Sequence, residues 1–149
     1  MYRLIVKKKV RDSFGALSRG EPEAVVRQLD PGVRYTFVGD HALGGTRSSA
    51  DGVRRWFDRV FRLFPGLTFV PRDVLVGGWP WNTTVLVVAD VVGEAAGEPY
   101  ANRMNQRLSL SWGRITSIET VEDTQLLVRT LERMAAAGVR EAVAAPIVG

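Results

Sequence analysis

The chain has 149 residues, which fits one domain with its own core, and its 46% hydrophobic and 24% charged residues are ordinary for a globular protein. Cysteine is absent and histidine occurs once, which excludes disulfides, thiolate sites and histidine-rich metal clusters, so we expect no cofactor. The formal net charge of +4 raises nucleic acid or another anionic surface as a partner.

The first third of the chain predicts two helices and a strand. Apolar residues recur at three- and four-residue spacing over residues 1–20, which is typical of an amphipathic helix that ends at Gly20. A second helix is expected over residues 21–32, with Pro22 in its first turn and its end at Pro31 and Gly32. The segment VRYTFV, residues 33–38, is β-branched and aromatic and predicts a strand.

The segment GDHALGGT, residues 39–46, carries the only histidine, His41. It differs by one residue from the phosphate-binding pattern G-x4-G-K-[S/T], because Gly45 stands in the lysine position. The next helix is expected only near Ser49, and the later strands are expected to be antiparallel. A phosphate loop instead leads directly into a helix of a parallel sheet, so we reject a nucleotide site.

Residues 48–66 contain the clearest helix, which ends at Pro65 and Gly66. Ser48 and Asp51 resemble a capping box with Asp in place of Glu. The apolar stripe consists of Val53, Trp56, Phe57, Val60, Phe61 and Phe64. The residues expected to face solvent are Arg54, Arg55, Asp58, Arg59 and Arg62, a pattern that favours a solvated helix face over a nucleic-acid site.

From residue 67 to about residue 122 the pattern predicts four strands, LTFVPRDVLVGG, NTTVLVVADVVG, YANRMNQRLSLS and RITSIETVE. Turn signals at Gly77 and Gly78, at GEAAGEP, and at Trp112 and Gly113 separate them, and such short turns join antiparallel neighbours. The segment DTQLLVRTLERMAAAG predicts a last helix with Asp123 as its N-cap.

This order of elements predicts an α+β fold, in which a curved antiparallel sheet forms a cone with helices packed on its concave face. We expect a single domain over residues 1–137 and a tail over residues 138–149 that either packs on the body or frays. Since no stretch of about 18 apolar residues occurs and no signal peptide is recognisable, we expect no membrane partner and a cytoplasmic location.

Three segments together resemble the nuclear transport factor 2-like superfamily, and within it the SnoaL-like branch. They are SRGEPEAVVRQLDPGVRYTF, HALGGTRSSADGVRRWF and GRITSIETVEDTQLL, and the resemblance covers roughly residues 3–135. The superfamily includes ketosteroid isomerases, polyketide cyclases, epoxide hydrolases and non-catalytic modules. The resemblance implies a cavity for a small apolar molecule, a homodimer, and a place for GDHALGGT at the pocket rim.

The residues do not fit the best-known chemistries of this superfamily. The positions that correspond to the base, the phenol and the acid of the isomerases fall on Phe37, Ser13 and near Gln106. Asp90 and Arg103 match part of the Asp-Arg-Asp set of the epoxide hydrolases, but no second acid is found. Steroid-type isomerisation by the family's route is therefore not expected.

Cyclases of the SnoaL-like branch use a carboxylate, often near a histidine, in an apolar cavity where desolvation raises its pKa. The resemblance therefore makes His41, Asp90 and Glu122 the catalytic candidates. Each has an alternative: His41 as an exposed loop residue, Asp90 paired with Arg103 or Arg107 on the convex face, and Glu122 facing solvent.

Alternation along the third and fourth of the long strands predicts which side chains line the cavity. If Met104 faces inward, Tyr100, Asn102 and Gln106 do so too. The residues predicted to line the pocket are Tyr35, Phe37, Trp56, Phe69, Tyr100, Asn102, Met104 and Gln106. Alternatively the aromatic members belong only to the core, and the amides only satisfy buried backbone groups. Trp79, Trp81 and Trp112 lie at turns and are expected to mark a dimer surface or the pocket mouth.

The sequence therefore predicts a cone protein for a small apolar molecule, with possible acid–base chemistry of cyclase or isomerase type. A non-catalytic ligand-binding or dimerisation module is the alternative, and a filled cavity would favour it. A nucleic-acid or anionic-surface binder, suggested by the segment KKKVR, is a further alternative that the absence of interleaved aromatic and basic residues disfavours.

Overall fold

The computed structural model describes every residue from Met1 to Gly149. In chain order the elements are α1 (Tyr2–Ser18), α2 (Glu23–Val26), β1 (Leu29–Phe37), β2 (Gly45–Arg47), α3 (Ala50–Leu63), β3 (Thr68–Trp79), β4 (Asn82–Ala95), β5 (Glu98–Ser111), β6 (Arg114–Glu122), α4 (Thr124–Ala136) and a 3-10 helix, Arg140–Val143. None of the helices is both long enough and apolar enough to cross a membrane.

The strands form one six-stranded sheet in the order β2-β1-β6-β5-β4-β3. The four long strands β3 to β6 are consecutive antiparallel neighbours, and β1 pairs in parallel with β6. Buried apolar residues of α1, α3, α4 and the inner sheet face merge into one core of 34 residues. The predicted fold, an α+β cone with a mostly antiparallel sheet, is confirmed.

The hairpin turns are explained by the local backbone. At the β4–β5 turn Ala96 and Gly97 both have positive φ, as do Trp112 and Gly113 at the β5–β6 turn. Two successive positive φ values are typical of type I′ turns, whose twist matches that of the strands. A turn at Gly77 and Gly78 was wrongly predicted, because both residues lie within β3. A Cβ on Gly78 would collide with the Asn82 carbonyl oxygen, so this glycine permits a close approach of two strands.

The boundary between α2 and β1 was also predicted wrongly. The helix has four residues, and Pro31 and Gly32 lie inside β1 rather than at a helix end. Leu29 pairs with Ile115 and the register shifts before Arg34, so an irregularity in the strand absorbs the proline and glycine. A proline followed by a glycine occurs both at helix ends and at strand bulges, so the local sequence does not distinguish the two. The long-range pairing of β1 with β6 decides in favour of the bulge.

Helix α3 carries the predicted apolar stripe, but two details differ. Its N-cap is Ser49 rather than Ser48, because the extended Ser49 accepts a hydrogen bond from the Gly52 N–H at 2.9 Å through its hydroxyl. Arg59 does not face solvent freely, since its guanidinium donates to the carbonyl oxygens of Ala42 and Ala145, each at 2.8 Å. In α4 the predicted N-cap is confirmed: the Asp123 carboxylate accepts from the Leu126 N–H.

Strand β2 was not predicted and has only three residues. It pairs with the end of β1, where Tyr35 lies opposite Arg47. The chain after α4 packs along this edge, because Arg47 donates to the Ile147 carbonyl oxygen and Ser49 to that of Gly149. The side chain of Ala142 in the 3-10 helix is buried. Of the two alternatives for the tail, packing on the body is the one observed.

Candidate functional site

An inner chamber of about 40 Å³ lies between the inner sheet face and helices α1, α3 and α4. Its walls are apolar except for Gln106, Thr120 and Glu122. These three side chains face inward because side chains alternate between the two faces along β5 and β6. The apolar lining consists of Phe14, Leu17, Tyr35, Phe37, Leu43, Trp56, Phe57, Val60, Phe64, Leu67, Phe69, Val91, Tyr100, Met104 and Leu127. This chamber is densely aromatic and holds one ionisable carboxyl.

An outer chamber of about 140 Å³ lies between α1 and strands β1, β5 and β6. Its walls are mostly apolar, with Lys9, Ser13, Gln28 and Gln106 as polar residues. It shares Phe14, Leu17, Tyr35 and Gln106 with the inner chamber, so the two are adjacent parts of the same cone interior. Ile5 and Lys9, which are exposed, line its mouth.

Glu122 is the last residue of β6 and lies opposite Met104 of β5 on the inner face. Its side chain is half-buried and also borders an open depression that Asp123 and Leu126 line. Burial raises the pKa of its carboxyl from 4.5 to about 7, and neither an ion pair nor a hydrogen bond offsets that effect. The carboxyl therefore exchanges between its protonated and ionised forms near neutral pH. A general acid–base needs this property.

Asn102 fixes the chain around Glu122. Its amide oxygen accepts from the Asp123 N–H at 3.2 Å, and its amide nitrogen donates to the Asp123 carbonyl oxygen at 3.2 Å and to the Tyr100 hydroxyl at 2.9 Å. Burial raises the pKa of Tyr100, and the negative charge of Glu122 adds to the rise. Tyr100 lines the inner chamber, but Asn102 does not. The Asn102 amide bonds mainly to backbone groups, which is the alternative given for it in the sequence analysis.

Gln106 lies where the two chambers meet. Its amide nitrogen donates to the Thr120 hydroxyl at 2.9 Å, which leaves one N–H and the carbonyl oxygen of the amide for other partners. Ser13 lines the outer chamber, where its hydroxyl accepts from the Gln28 amide at 3.0 Å. The positions that the resemblance matched to the isomerase acid and phenol thus carry a neutral amide and a hydroxyl.

His41 lines neither chamber. Its Nδ1 accepts a hydrogen bond from the Leu43 N–H at 3.2 Å, and its ring meets Phe37 edge-on at 5.5 Å between centroids. Burial lowers the pKa of His41, so the ring is neutral at neutral pH. It borders a surface depression with α4 and the tail, while Leu43 of the same loop lines the inner chamber.

Asp90 lies on the outer face of β4, between the inward residues Ala89 and Val91. It pairs with Arg72 at 2.6 Å and with Arg103 at 2.9 Å, and hydrogen bonds from these two guanidinium groups hold its pKa below the ordinary value. It contacts neither chamber. The cross-strand pair with Arg103 is the alternative that the sequence had left open.

Seven of the eight residues predicted for the pocket line the inner chamber, and Glu122 lines it as well. Asn102 is the one predicted residue that does not line it. Sequence reasoning missed Arg47, which is fully buried and stacks over the Trp56 ring at 5.0 Å. Burial lowers its pKa to about 10, so the side chain stays charged, and two of its nitrogens have no partner. A strand of three residues gives no alternation signal from which this could be inferred.

No group of three or more His, Cys, Asp or Glu side chains lies close enough together to hold a metal ion. The polar groups that line the two chambers are one carboxyl, two amides, hydroxyls and, at the mouth, one amine. This set can move a proton and orient a polar group within an apolar pocket.

The model of the SnoaL-like domain family matches residues 10–118, so the chain belongs to the SnoaL-like domain family. The resemblance to the SnoaL-like branch is thereby confirmed, and the fold is the one seen in a solved nuclear transport factor 2-like protein. A search of curated protein sequences gave no match.

Several solved structures share this fold. PrhC from Penicillium brasilianum is 17% identical with a TM-score of 0.79, and the match covers 95% of this chain and 94% of PrhC. A candidate SnoaL-like polyketide cyclase from Jannaschia sp. CCS1 is 18% identical with a TM-score of 0.70, over 86% and 91% of the two chains. A ketosteroid isomerase-like protein from Catenulispora acidiphila, solved with trimethylamine, is 18% identical with a TM-score of 0.64, over 75% and 82%. These likenesses establish the fold alone.

Proposed function

We propose that the protein binds a small, largely apolar molecule in its cone and acts on it by acid–base chemistry of cyclase or isomerase type. The observation that carries the proposal is Glu122, a carboxyl in an aromatic chamber whose pKa burial raises to about 7. A related fold described as a polyketide cyclase and another that holds trimethylamine are consistent with it. His41 and Asp90 have no part in the proposed step, since neither lines the cone interior.

In the proposed step the Glu122 carboxylate removes a proton from a carbon next to a substrate carbonyl. The C–H electron pair moves into the enolate, and the proton stays on the carboxyl until it returns to the same or another carbon. The free N–H of Gln106 and the hydroxyl of Tyr100 can donate hydrogen bonds to a developing oxyanion in the inner chamber. Every proton taken is given back, so no further reactant is needed.

Cavity size limits the ligand. The outer chamber of about 140 Å³ is close to the roughly 150 Å³ of an engineered apolar cavity that binds benzene in another protein. A one-ring ketone therefore fits the outer chamber, and for the proposed step its carbonyl end extends past Gln106 into the inner chamber, which Tyr100 and Glu122 line. A larger polycyclic molecule requires α1 to move away from the sheet.

Proton exchange tests the proposal without knowledge of the natural substrate. A set of small cyclic ketones is incubated with the protein in D₂O, and loss of the proton signals next to the carbonyl is followed by NMR. We expect exchange with the native protein and none above background with Glu122→Gln. Glu119→Gln is the matched control, because Glu119 is exposed on the other face of β6. Equal exchange with both variants would refute the role of Glu122.

A non-catalytic binding or dimerisation module is the second candidate. The small volume of the inner chamber and its filling by Trp56, Phe57 and Phe64 favour it, as does Phe37 at the isomerase base position. The outer sheet face exposes Leu86, Val92 and Val121, which suits a homodimer through that face. Sedimentation of the native chain and of Leu86→Asp tests this: a dimer that the substitution dissociates supports it, whereas a monomeric native chain contradicts it.

A further inference from the structure

Three of the four tryptophans are exposed and touch one another at one end of the sheet. Trp79 and Trp81 of the β3–β4 hairpin stack with their rings 6° from parallel, and Trp112 of the β5–β6 turn lies 6.0 Å from Trp81 between centroids. Their exposed fractions are 65%, 55% and 71%. The exposed parts of these three rings do not contribute to the core, and exposed apolar patches of this kind mark interaction sites.

Trp112 also occupies a costly backbone conformation. Its φ is +50°, a region that bulky side chains avoid and that glycine or asparagine adopts with little penalty. Its N–H donates to the Pro80 carbonyl oxygen at 2.7 Å, which ties the two hairpin tips together. Because glycine or asparagine would meet the type I′ turn here with less strain, the turn itself does not account for a tryptophan at this position.

These rings lie beside the mouth of the outer chamber. Gly113, next to Trp112, lines the mouth together with Ile5 and Lys9. The hydroxyl of Tyr2 bonds that of Thr83, which in turn donates to the Trp79 carbonyl oxygen. The first turn of α1 therefore borders the tryptophans. We call the set of exposed apolar residues at this end the tryptophan pole: Met1, Leu4, Ile5, Trp79, Trp81 and Trp112.

The charged residues that lie nearest to the tryptophan pole along the chain are basic. Residues 1–11 contain Arg3, Lys7, Lys8, Lys9 and Arg11 and no acid. Residues 74–89, which include the β3–β4 hairpin tip, have no charged side chain, and Arg114 follows the β5–β6 turn. Of these cations, only Lys8 has an acidic partner, Asp12, and both are exposed. An apolar aromatic centre with a basic border is thus presented to solvent.

We propose that the tryptophan pole docks on an anionic lipid surface. Tryptophan favours the boundary between lipid headgroups and acyl chains, and lysine and arginine near that boundary are drawn to anionic headgroups. Aliphatic Met1, Leu4 and Ile5 beside the rings suit acyl chains. A single-stranded nucleic acid would instead need cations among the stacking rings, and the hairpin that carries Trp79 and Trp81 has none.

Docking in this orientation places the mouth of the outer chamber against the lipid. An apolar molecule dissolved in the bilayer then reaches the chamber without crossing water. The expectation of no membrane partner came from the lack of a spanning segment, which does not bear on contact from one side. The proposal goes beyond the acid–base function and holds whether or not Glu122 transfers protons.

Vesicle binding of the full chain tests the proposal. Vesicles of phosphatidylcholine are compared with vesicles that also contain phosphatidylglycerol, by sedimentation and by tryptophan emission. We expect binding to the anionic vesicles, a blue shift of the emission, quenching by lipids brominated in the acyl chain, and weakening by added salt. Trp56 is buried in the core and serves as a constant background.

Variants assign the binding to this surface. Trp79→Ser, Trp81→Ser and Trp112→Asn combined should weaken partitioning by about tenfold or more, and each of Arg3→Gln and Lys9→Gln by roughly fivefold. The matched control combines Leu75→Ser and Val143→Ser, two exposed apolar residues outside the tryptophan pole, and should bind as the native chain does. All these side chains are exposed, so folding is retained.

Two results would overturn the proposal. One is no binding of the native chain to anionic vesicles, and the other is a triple tryptophan variant that binds them as well as the native chain. If that variant also loses self-association, the surface is assigned to a second copy of the chain. Loss of proton exchange in Glu122→Gln bears on none of these outcomes, so the two proposals fail separately.

Discussion

Glu122 and Asp90 are both strand carboxylates, yet they lie on opposite faces of the sheet. Glu122, on the inner face of β6, has no partner, and burial raises its pKa to about 7. Asp90, on the outer face of β4, is held between Arg72 and Arg103, and these hydrogen bonds lower its pKa. The same residue chemistry thus gives a carboxyl with a raised pKa on one face and a surface ion pair on the other.

This difference teaches that residue type alone does not locate chemistry in this fold. A one-residue step along a strand moves a side chain from an aromatic chamber to solvent. Burial without a charged partner favours the neutral form of the Glu122 carboxyl and brings its pKa near neutral pH. Hydrogen bonds from two guanidinium groups favour the ionised form of Asp90 and lower its pKa.

The largest expected effect is on the pH dependence of stability. Because the pKa of Glu122 is raised on folding from 4.5 to about 7, its contribution is fully present below pH 4.5 and is lost as the pH rises through 7. The change in the free energy of unfolding caused by Glu122→Gln should therefore be about 3 kcal/mol more favourable near pH 8 than near pH 4. Urea unfolding at the two pH values measures this, and a pH-independent effect would contradict it.

A second comparison separates the two faces within one strand. Asn102→Ala removes the hydrogen bonds to the backbone of Asp123 and leaves those groups without a partner, so we expect a loss of about 2 kcal/mol. Asn105→Ala, on the exposed face of β5, is the matched control and should change stability by less than about 0.5 kcal/mol. Equal losses in chemical denaturation would show that Asn102 does not hold the junction of β6 and α4.

The smallest effect is expected at the outer ion pair. The lowered pKa of Asp90 means that its contribution is present above its ordinary pKa of 3.8 and is lost as the pH falls. Asp90→Asn should therefore destabilise the protein slightly at neutral pH, and this loss should shrink in acid and in high salt because the arginines are exposed. Thermal unfolding at two salt concentrations measures it, and a loss that salt leaves unchanged would argue against an ionic origin.

Alternation along β5 predicted that Tyr100, Asn102 and Gln106 share the face of Met104, and the resemblance supplied the cone around them. The face of Glu122 stayed open in the sequence, and the register that sets it opposite Met104 comes from the structure. The pairing of Asp90 stayed open, because its strand VLVVADVVG is apolar on both sides and alternation does not distinguish them.

The remaining errors arise where long-range contacts decide. Pro31 and Gly32 read locally as a helix end, but pairing with β6 makes them part of a strand. Arg59 was predicted to face solvent, but the tail supplies the Ala145 carbonyl oxygen to its guanidinium. Neither contact has a signal in the local sequence, since the partners lie far away in the chain.

The titration of Glu122 tests the central claim most directly. The carboxyl carbon resonances of the glutamates are followed by NMR from acid to alkaline pH, and the signal that disappears in Glu122→Gln assigns the residue. We predict a midpoint near 7, as burial in the inner chamber requires. A midpoint near the ordinary 4.5 would show that water or a partner reaches the carboxyl, and it would contradict the proposed acid–base site.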